Sequence, residues 1–203
     1  MKAVSKDRLN ALELREALGK CVIGREIVVL KETTSTNDLV LARATPEQPE
    51  GLIIFAEKQT AGRGQRDNVW ESADGKGLWI SILLRPNIEL GNSVELTRWS
   101  AGIVARTIAE QFNLRPTIKP PNDIYINGKK LAGVLVEMRA QKQANHIAIL
   151  GIGINVNHSG KDFSAELRPR AISLAQVLGR HVDRQTLAIA LLRNLDRTYV
   201  FGA

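Results

Sequence analysis

The sequence is short of the residues that cross-link a chain, ligate metals or anchor it in a membrane. A single cysteine, Cys21, excludes an internal disulfide framework and an all-cysteine metal cluster within one chain. The three histidines, at positions 146, 158 and 181, have no HxxxH or HExxH spacing, so we expect no zinc hydrolase site and no protein metal site. No apolar run approaches the roughly 18 residues that span a bilayer, and the charged N-terminus lacks the apolar core of a signal peptide. We therefore expect a cytoplasmic protein that does not bind membranes.

Aromatic residues are also scarce, at 4% of the chain, which argues against a platform for stacking single-stranded nucleic acid. The chain has 28 Lys and Arg against 21 Asp and Glu, a formal net charge of +7. A basic balance suits an anionic partner such as nucleic acid, a nucleotide or an acidic protein, although many small proteins are simply basic. With 203 residues, 44% of them hydrophobic, and no linker-like segment, the chain is long enough for one domain with a full core.

The order of apolar and polar patterns predicts an α+β domain with a mixed, largely antiparallel central sheet and flanking helices. Asn127-Gly128 between two apolar runs predicts a hairpin. The polar, glycine-bearing segment 58–77 is expected to be a long loop, and such loops are often functional. Strands are predicted at 26–31, 52–57, 78–84, 124–126, 131–138 and 146–156, and helices at 7–18, after 34–38, and at 93–112, 173–178 and 184–200.

Four polar clusters interrupt apolar runs, and each has a structural and a functional interpretation. Ser35-Thr36-Asn37 can cap a helix or hold a polar ligand. Residues 59–70, with Gly62-Arg63-Gly64 and Trp70, can be a flexible surface loop or a backbone cradle for an anion. The segment matches neither GxGxxG nor the Walker motif, so neither standard nucleotide loop applies.

The other two clusters follow in the second half of the chain. Asn122-Asp123 after two prolines can cap a turn, and the nearby Lys130 can be solvated or can point its charge into a cleft. Gly151 and Gly153, with Asn155, interrupt the strand GIGINVN, which indicates either a β-bulge or the close approach of a ligand.

Taken in order and spacing, the motifs STN, QxAGRGxxxxxW, KxPND, KLAGVLVE and GIGINVN resemble the catalytic domain of biotin–protein ligases, over about residues 24–178. The resemblance implies a fold like that of class II aminoacyl-tRNA synthetases and biotin–lipoate ligases. It also implies that Mg-ATP and biotin form biotinyl-5′-AMP, from which biotin passes to a lysine of a biotin carboxyl carrier protein domain, as of acetyl-CoA carboxylase.

The resemblance also assigns roles to residues of the four clusters. The implied catalytic residues are Lys130, which would span the biotin carboxylate and the phosphate, Arg63 in the same region, and Asp123 near the incoming lysine. The implied biotin-binding residues are Ser35, Thr36, Asn37, Gln59, Gly62, Arg63, Gly133, Gly151 and Gly153. The implied ATP and adenylate contacts are Arg66, Trp70, Asn122, Lys130 and Asn155.

The sequence departs from the family pattern in its loop and at its ends. Gln65 and Asn68 stand where arginines are frequent, which predicts that the enzyme holds its adenylate less tightly, and Pro120 replaces a tryptophan. About 24 residues precede the first strand, too few for the DNA-binding domain of bifunctional members, and no C-terminal SH3-like domain is expected, so residues 1–203 are interpreted as one catalytic domain. The chain is thus expected to be a monofunctional ligase, either a monomer or a homodimer.

Three other functions are alternatives to this one. A lipoate or octanoate transferase of the same superfamily is disfavoured because Cys21 has no catalytic context and no Arg-Arg-x-Ser-Gly-Gly-Gly segment is present. A non-catalytic biotin-binding protein is disfavoured by the retained Lys130, Arg63 and Asn122. A DNA-binding repressor is disfavoured because the basic residues are spread along the chain and no recognition helix is evident, so no nucleic-acid partner is expected.

Overall fold

A computed structural model describes residues 7–65, 68–141 and 146–202. The helices are α1 (Ala11–Leu18), α2 (Thr36–Arg43), α3 (Ser93–Phe112), α4 (Leu174–Leu178) and α5 (Arg184–Thr198). The strands are β1 (Glu26–Thr33), β2 (Leu52–Gln59), β3 (Gly77–Leu84), β4 (Thr117–Lys119), β5 (Asp123–Ile126), β6 (Lys129–Arg139) and β7 (Ile147–Asn155).

The seven strands form one sheet in the order β1-β2-β3-β7-β6-β5-β4. Only β1 and β2 pair in parallel, and every other neighbouring pair is antiparallel. The predicted mixed, largely antiparallel sheet with flanking helices is therefore confirmed. Asn127 and Gly128 join β5 to β6 with φ angles of 52° and 73°, the left-handed conformation that a tight hairpin turn requires.

Alternate residues of the central strands point to opposite faces of the sheet. On one face, side chains such as Ile53, Phe55 and Ile80 join the main core with α3 and α5. On the other face, Leu52, Ile54, Leu83, Ile147 and Ile149 form a smaller core around Val40 of α2. We call this second side the α2 face, and the candidate site lies on it because α2 covers only part of it.

The element boundaries differ from the predictions in a few places. The first helix begins at Ala11 rather than at residue 7, with the Asn10 side chain accepting hydrogen bonds from the backbone of Leu12 and Glu13. Strand β1 extends beyond residue 31 to Thr33, and β2 extends to Gln59, so the functional loop is shorter than expected. The short strand β4 was not predicted as a strand, because its three residues are exposed and lack an apolar alternation.

Candidate functional site

The site begins as a hollow in the α2 face, made by glycines in neighbouring strands. Gly133 of β6 is paired with Gly153 of β7, and the register on both sides of β7 runs unbroken through Gly151 and Gly153. The bulge interpretation of these two glycines is therefore wrong. A Cβ atom at Gly153 would lie 2.5 Å from the Trp70 ring, and one at Gly151 would lie 2.5 Å from Asn37 Oδ1. Because these glycines have no side chain, Trp70 and Asn37 can occupy the space above them.

A narrow pocket lies over this hollow, with about 490 Å³ of empty space. The start of α2, the end of β2, the glycine–arginine loop and strands β6 and β7 supply its walls. It is lined by Ser35, Thr36, Asn37, Gln59, Arg63, Gly64, Gln65, Trp70, Ile80, Asn122, Lys130, Gly133, Val134, Leu135, Gly151, Ile152 and Gly153. The first, second and fourth polar clusters, far apart in sequence, therefore converge here with residues of the third.

A wide pocket adjoins it, with about 1330 Å³ of empty space. Its lining includes the cationic side chains of Lys119, Lys130 and Arg170, together with Phe163 and Asn155. Both pockets are lined by Gly64, Gln65, Trp70, Asn122 and Lys130. These shared residues form the boundary between the two pockets, which we call the passage, and two ligands could meet there.

A row of hydrogen-bonded polar side chains runs along the narrow pocket, formed by residues of its wall and by Ser81 behind them. Gln59 Oε1 accepts hydrogen bonds from the Thr36 backbone N–H at 2.8 Å and from the Thr36 hydroxyl at 3.0 Å. The Ser81 hydroxyl lies 2.7 Å from Thr36 Oγ1 and 2.5 Å from Asn37 Oδ1. Ser35 stands at the N-cap position of α2, but its side chain makes no capping hydrogen bond, so its hydroxyl does not serve as a helix cap.

Arg63 of the loop is held beside the narrow pocket by two carboxylates. Its guanidinium lies 2.7 Å from Asp38 Oδ1 and 3.4 Å from Glu137 Oε2. The hydrogen bond to Arg63 lowers the pKa of Asp38, and the same bond raises the pKa of Arg63. Both groups are therefore ionised at neutral pH, and the guanidinium remains partly exposed for an anionic ligand.

Lys130 stands at the passage between the pockets, on the strand that follows the hairpin turn. Its Nζ atom lies 2.7 Å from Asp123 Oδ1 and 5.2 Å from the centroid of the Trp70 ring. Trp70 in turn contacts Trp79 edge-on, with ring centroids 6.2 Å apart. The ammonium group is thus fixed in position by a carboxylate and an aromatic face, rather than free in solvent.

The comparisons with known proteins decide the family. Residues 29–155 match the model of the biotin/lipoate A/B protein ligase family. The chain is 39% identical over 192 residues to the bifunctional ligase/repressor BirA of Bacillus subtilis, covering 95% of this chain and 59% of that protein. It is 32% identical to the biotin–[acetyl-CoA-carboxylase] ligase of Mycobacterium tuberculosis, covering 94% of this chain and 72% of that protein.

The chain belongs to the biotin/lipoate A/B protein ligase family. Among solved structures, this family member resembles the biotin protein ligase of Aquifex aeolicus in complex with biotin and ATP, with a TM-score of 0.71 and 30% identity over 85% of this chain and 69% of that one. It also resembles the biotin protein ligase of Leishmania major in complex with biotinyl-5-AMP, with a TM-score of 0.67 and 25% identity over 84% of this chain and 73% of that one.

Nearly all predicted site residues of this ligase-family chain line one of the two pockets. Gly62 lies just behind the wall, where a Cβ would be 2.6 Å from the Trp70 carbonyl oxygen and 3.1 Å from Gln59 Nε2. Asp123 and Asn155 line the wide pocket only. Arg66 falls outside the described residues, so its predicted adenylate contact stays a prediction.

The interpretation of Asn122 as a turn cap is wrong, because its side chain bonds to strand β6. Its Nδ2 atom donates a hydrogen bond to the Val134 carbonyl at 3.0 Å, and Val134 N–H donates back to the Asn122 carbonyl at 3.0 Å. Asn122 therefore fastens the proline-rich turn to strand β6 at the passage between the pockets.

Sequence reasoning missed three residues that hold the site together: Ser81, Asp38 and Glu137. Ser81 is a lone hydroxyl in the apolar run LWISILL, and Glu137 is a lone acid in the apolar run LAGVLVEM. A polar residue inside a buried strand needs a partner, and this signal could have identified both. Asp38 gave no such signal because it is an ordinary acidic residue in the first turn of a helix.

In the described part of the chain, no group of three or more His, Cys, Asp or Glu side chains could hold a metal ion. Among the described helices, none combines the length and apolar character needed to cross a bilayer.

Proposed function

We propose that this chain carries the catalytic unit of a biotin–protein ligase, which activates biotin with ATP and transfers it to a lysine of a biotin carboxyl carrier domain. The observation that carries the proposal is the pair of adjoining pockets whose passage is occupied by Lys130, Trp70 and Asn122. The relatives support it, because solved structures of family members hold biotin with ATP, or biotinyl-5-AMP. The chain spans 59% of the length of the Bacillus subtilis relative, so the activity of a whole protein is part of the proposal.

In the first step, a carboxylate oxygen of biotin attacks the α-phosphorus of ATP, and the bond to the β-phosphate breaks to release pyrophosphate. Two anions must approach each other, so the enzyme must neutralise charge where the pockets meet. Lys130 lines both pockets and lies between them, while Arg63 lines the narrow one. We assign biotin to the narrow pocket, ATP to the wide pocket and the charge neutralisation to these two cations.

In the second step, the neutral amine of the carrier lysine attacks the acyl carbon of biotinyl-5′-AMP, AMP leaves, and the new amide loses a proton. Asp123 lies in the wall of the wide pocket and contacts Lys130, so we place it beside the incoming lysine. Acidic carrier domains would suit the formal net charge of +7. A monomer and a homodimer are both compatible with this role, and the cytoplasmic location stays a prediction.

Magnesium would enter as part of the substrate, bound to the phosphates of ATP. The chain's own contribution near the phosphates would be cationic, from Lys119, Lys130 and Arg170 around the wide pocket.

Two neutral residues of the glycine–arginine loop, Gln65 and Asn68, support the hypothesis that the adenylate is held less tightly. Asn68 Nδ2 donates to the Gln65 carbonyl at 2.7 Å, which uses one of its two amide protons within its own turn, and the side chain has no positive charge to attract a phosphate. Gln65 is neutral, although it lines both pockets. A Gln65→Arg/Asn68→Arg variant is expected to release biotinyl-5′-AMP more slowly than the wild type, and equal release rates would contradict the hypothesis.

The proposal is tested by incubating the chain with Mg-ATP, a purified biotin carboxyl carrier domain, and either biotin, lipoate or octanoate. Mass spectrometry of the carrier domain then reports which acid becomes attached. Modification by biotin alone is expected, whereas modification by lipoate or octanoate alone would assign the chain to the other branch of the family. A carrier domain in which arginine replaces the acceptor lysine is the matched control and should stay unmodified.

A further inference from the structure

Ser81 lies at the centre of the polar row behind the narrow pocket, although it does not line that pocket. It is fully buried, at 0% exposure, in a strand whose other residues are all apolar. Its neighbours across the sheet are Ile54 on β2 and Gly151 on β7, so it lies on the α2 face next to the glycine hollow. Its hydroxyl reaches Thr36 Oγ1 and Asn37 Oδ1, which belong to two residues of the pocket wall.

The protons in this row can be counted. The Thr36 hydroxyl donates to Gln59 Oε1, and the Ser81 hydroxyl has one proton for two oxygens, those of Thr36 and Asn37. Both hydroxyl protons are therefore used inside the row. Thr36 Oγ1 and Asn37 Oδ1 are left with lone pairs, so toward a ligand these two oxygens act as hydrogen-bond acceptors.

The direction of the Asn37 amide is fixed from its other end. Asn37 Nδ2 donates to Glu137 Oε2 at 2.6 Å, and a carboxylate cannot donate in return. Glu137 is itself paired with Arg63, whose guanidinium lies 3.4 Å from Glu137 Oε2. The amide oxygen must therefore face Ser81 and Gly151, because turning the amide over would place its oxygen against the Glu137 carboxylate.

We propose that Ser81 is a positioning residue, whose hydroxyl holds Thr36 and Asn37 so that their oxygens act as hydrogen-bond acceptors toward the narrow pocket. This arrangement makes the pocket selective for a ligand head that bears N–H donors. The inference rests on the proposed function, since the ureido ring of biotin is the N–H-bearing head that would occupy this pocket. Removing the hydroxyl takes away the one proton that these two oxygens share, and a buried acceptor without a donor is costly. Thr36 and Asn37 would then reorient, and the preference for N–H donors would fall.

The test compares Ser81→Ala with Ser100→Ala as the matched control. Ser100 is also a fully buried serine, but its hydroxyl bonds only to the carbonyls of Leu96 and Thr97 in its own helix. Isothermal titration calorimetry measures the dissociation constants of biotin and of its two ureido N-methyl derivatives, which replace one N–H donor each. Thermal unfolding of each variant defines a temperature at which all of them are folded.

The expected result is a change in selectivity as well as in affinity. Relative to the wild type, Ser81→Ala should bind biotin about tenfold more weakly. For the N-methyl derivative that the wild type binds most weakly, the same substitution should reduce the affinity by less than about threefold. Ser100→Ala should match the wild type for every ligand. An equal loss for biotin and the derivative, or no loss for either, would overturn the role of Ser81. Failure of the wild type to bind biotin would instead refute the proposed function, and with it this inference.

Discussion

Gly153 has no room for a side chain, and this gives the most quantitative test of the site geometry. A Cβ atom there would lie 2.5 Å from Trp70 Cε2 and 2.6 Å from Cζ2, whereas non-bonded carbon atoms rest about 3.5–4.0 Å apart. In Gly153→Ala the indole ring must therefore retreat by about 1 Å or more. Trp70 lines both pockets and lies under Lys130, so the displacement reaches the passage between them.

The size of the effect follows from the cost of overpacking a dense interior, which is about 1–3 kcal/mol for one inserted methyl group. We expect Gly153→Ala to lower the free energy of unfolding by this amount. We also expect biotin affinity to fall on the order of tenfold to a hundredfold, since a factor of ten corresponds to about 1.4 kcal/mol. Calorimetric titration with biotin gives the affinity, and urea denaturation gives the stability.

The control for this prediction is Gly102→Ala, because a Cβ at that helical position would meet nothing within 4 Å. It should leave biotin binding unchanged and stabilise the helix by roughly 0.5–1 kcal/mol. A Trp70→Ala background isolates the clash, since Gly153→Ala should have little further effect on affinity there. The reasoning is refuted if Gly153→Ala binds biotin normally, or if its full loss persists in the Trp70→Ala background.

Three further predictions concern single side chains. Lys130→Ala should slow biotin-dependent pyrophosphate exchange on the order of 10²–10³-fold with the fold intact, and a change of less than threefold would mean that the ammonium group is only a solvated charge. Arg184 is fully buried and lies 2.6 Å from Glu57 Oε2, so Arg184→Met, measured by urea denaturation, should lower the free energy of unfolding by about 3–5 kcal/mol. Adding Glu57→Gln should restore part of the lost free energy of unfolding, because it removes the unpaired carboxylate. Burial lowers the pKa of His158 from 6.5 to about 4, so the unfolded chain takes up a proton at a higher pH than the native chain does. The contribution of His158 to the free energy of unfolding is therefore fully present above pH 6.5, and the free energy of unfolding should fall by up to about 3 kcal/mol as the pH decreases toward 4. His158→Phe should reduce this dependence on pH, and an unchanged dependence would contradict the assignment.

The strands of the central sheet were predictable because their signal is local. Apolar runs such as LIIFAE and LWISILL, and the Asn-Gly turn between β5 and β6, need no knowledge of the neighbouring chain. Strand β4 lacked such a signal, since a three-residue exposed edge strand is stabilised by pairing with β5 and not by its own pattern. The mixed order of strands was predictable as a class, but the position of each strand in the sheet was not.

The candidate site was predictable only in part, for a similar reason. The polar clusters were visible in the sequence, and their family resemblance predicted that they act together. The structure adds their convergence, which depends on the register that pairs Gly133 with Gly153 and Ser81 with Gly151. Ser81 and Glu137 are visible in the sequence as lone polar residues in apolar runs that need a partner, but a strand pattern does not say which face of a sheet meets a pocket, so the sequence does not connect them to this site.

The measurement that tests the central claim most directly is biotin-dependent exchange of labelled pyrophosphate into ATP, with lipoate and octanoate as parallel substrates. The account predicts exchange with biotin alone, because the narrow pocket would hold biotin and Lys130 would bring its carboxylate against the α-phosphate. Exchange with lipoate or octanoate but not biotin would contradict it, and so would the absence of exchange with every acid while biotin still binds.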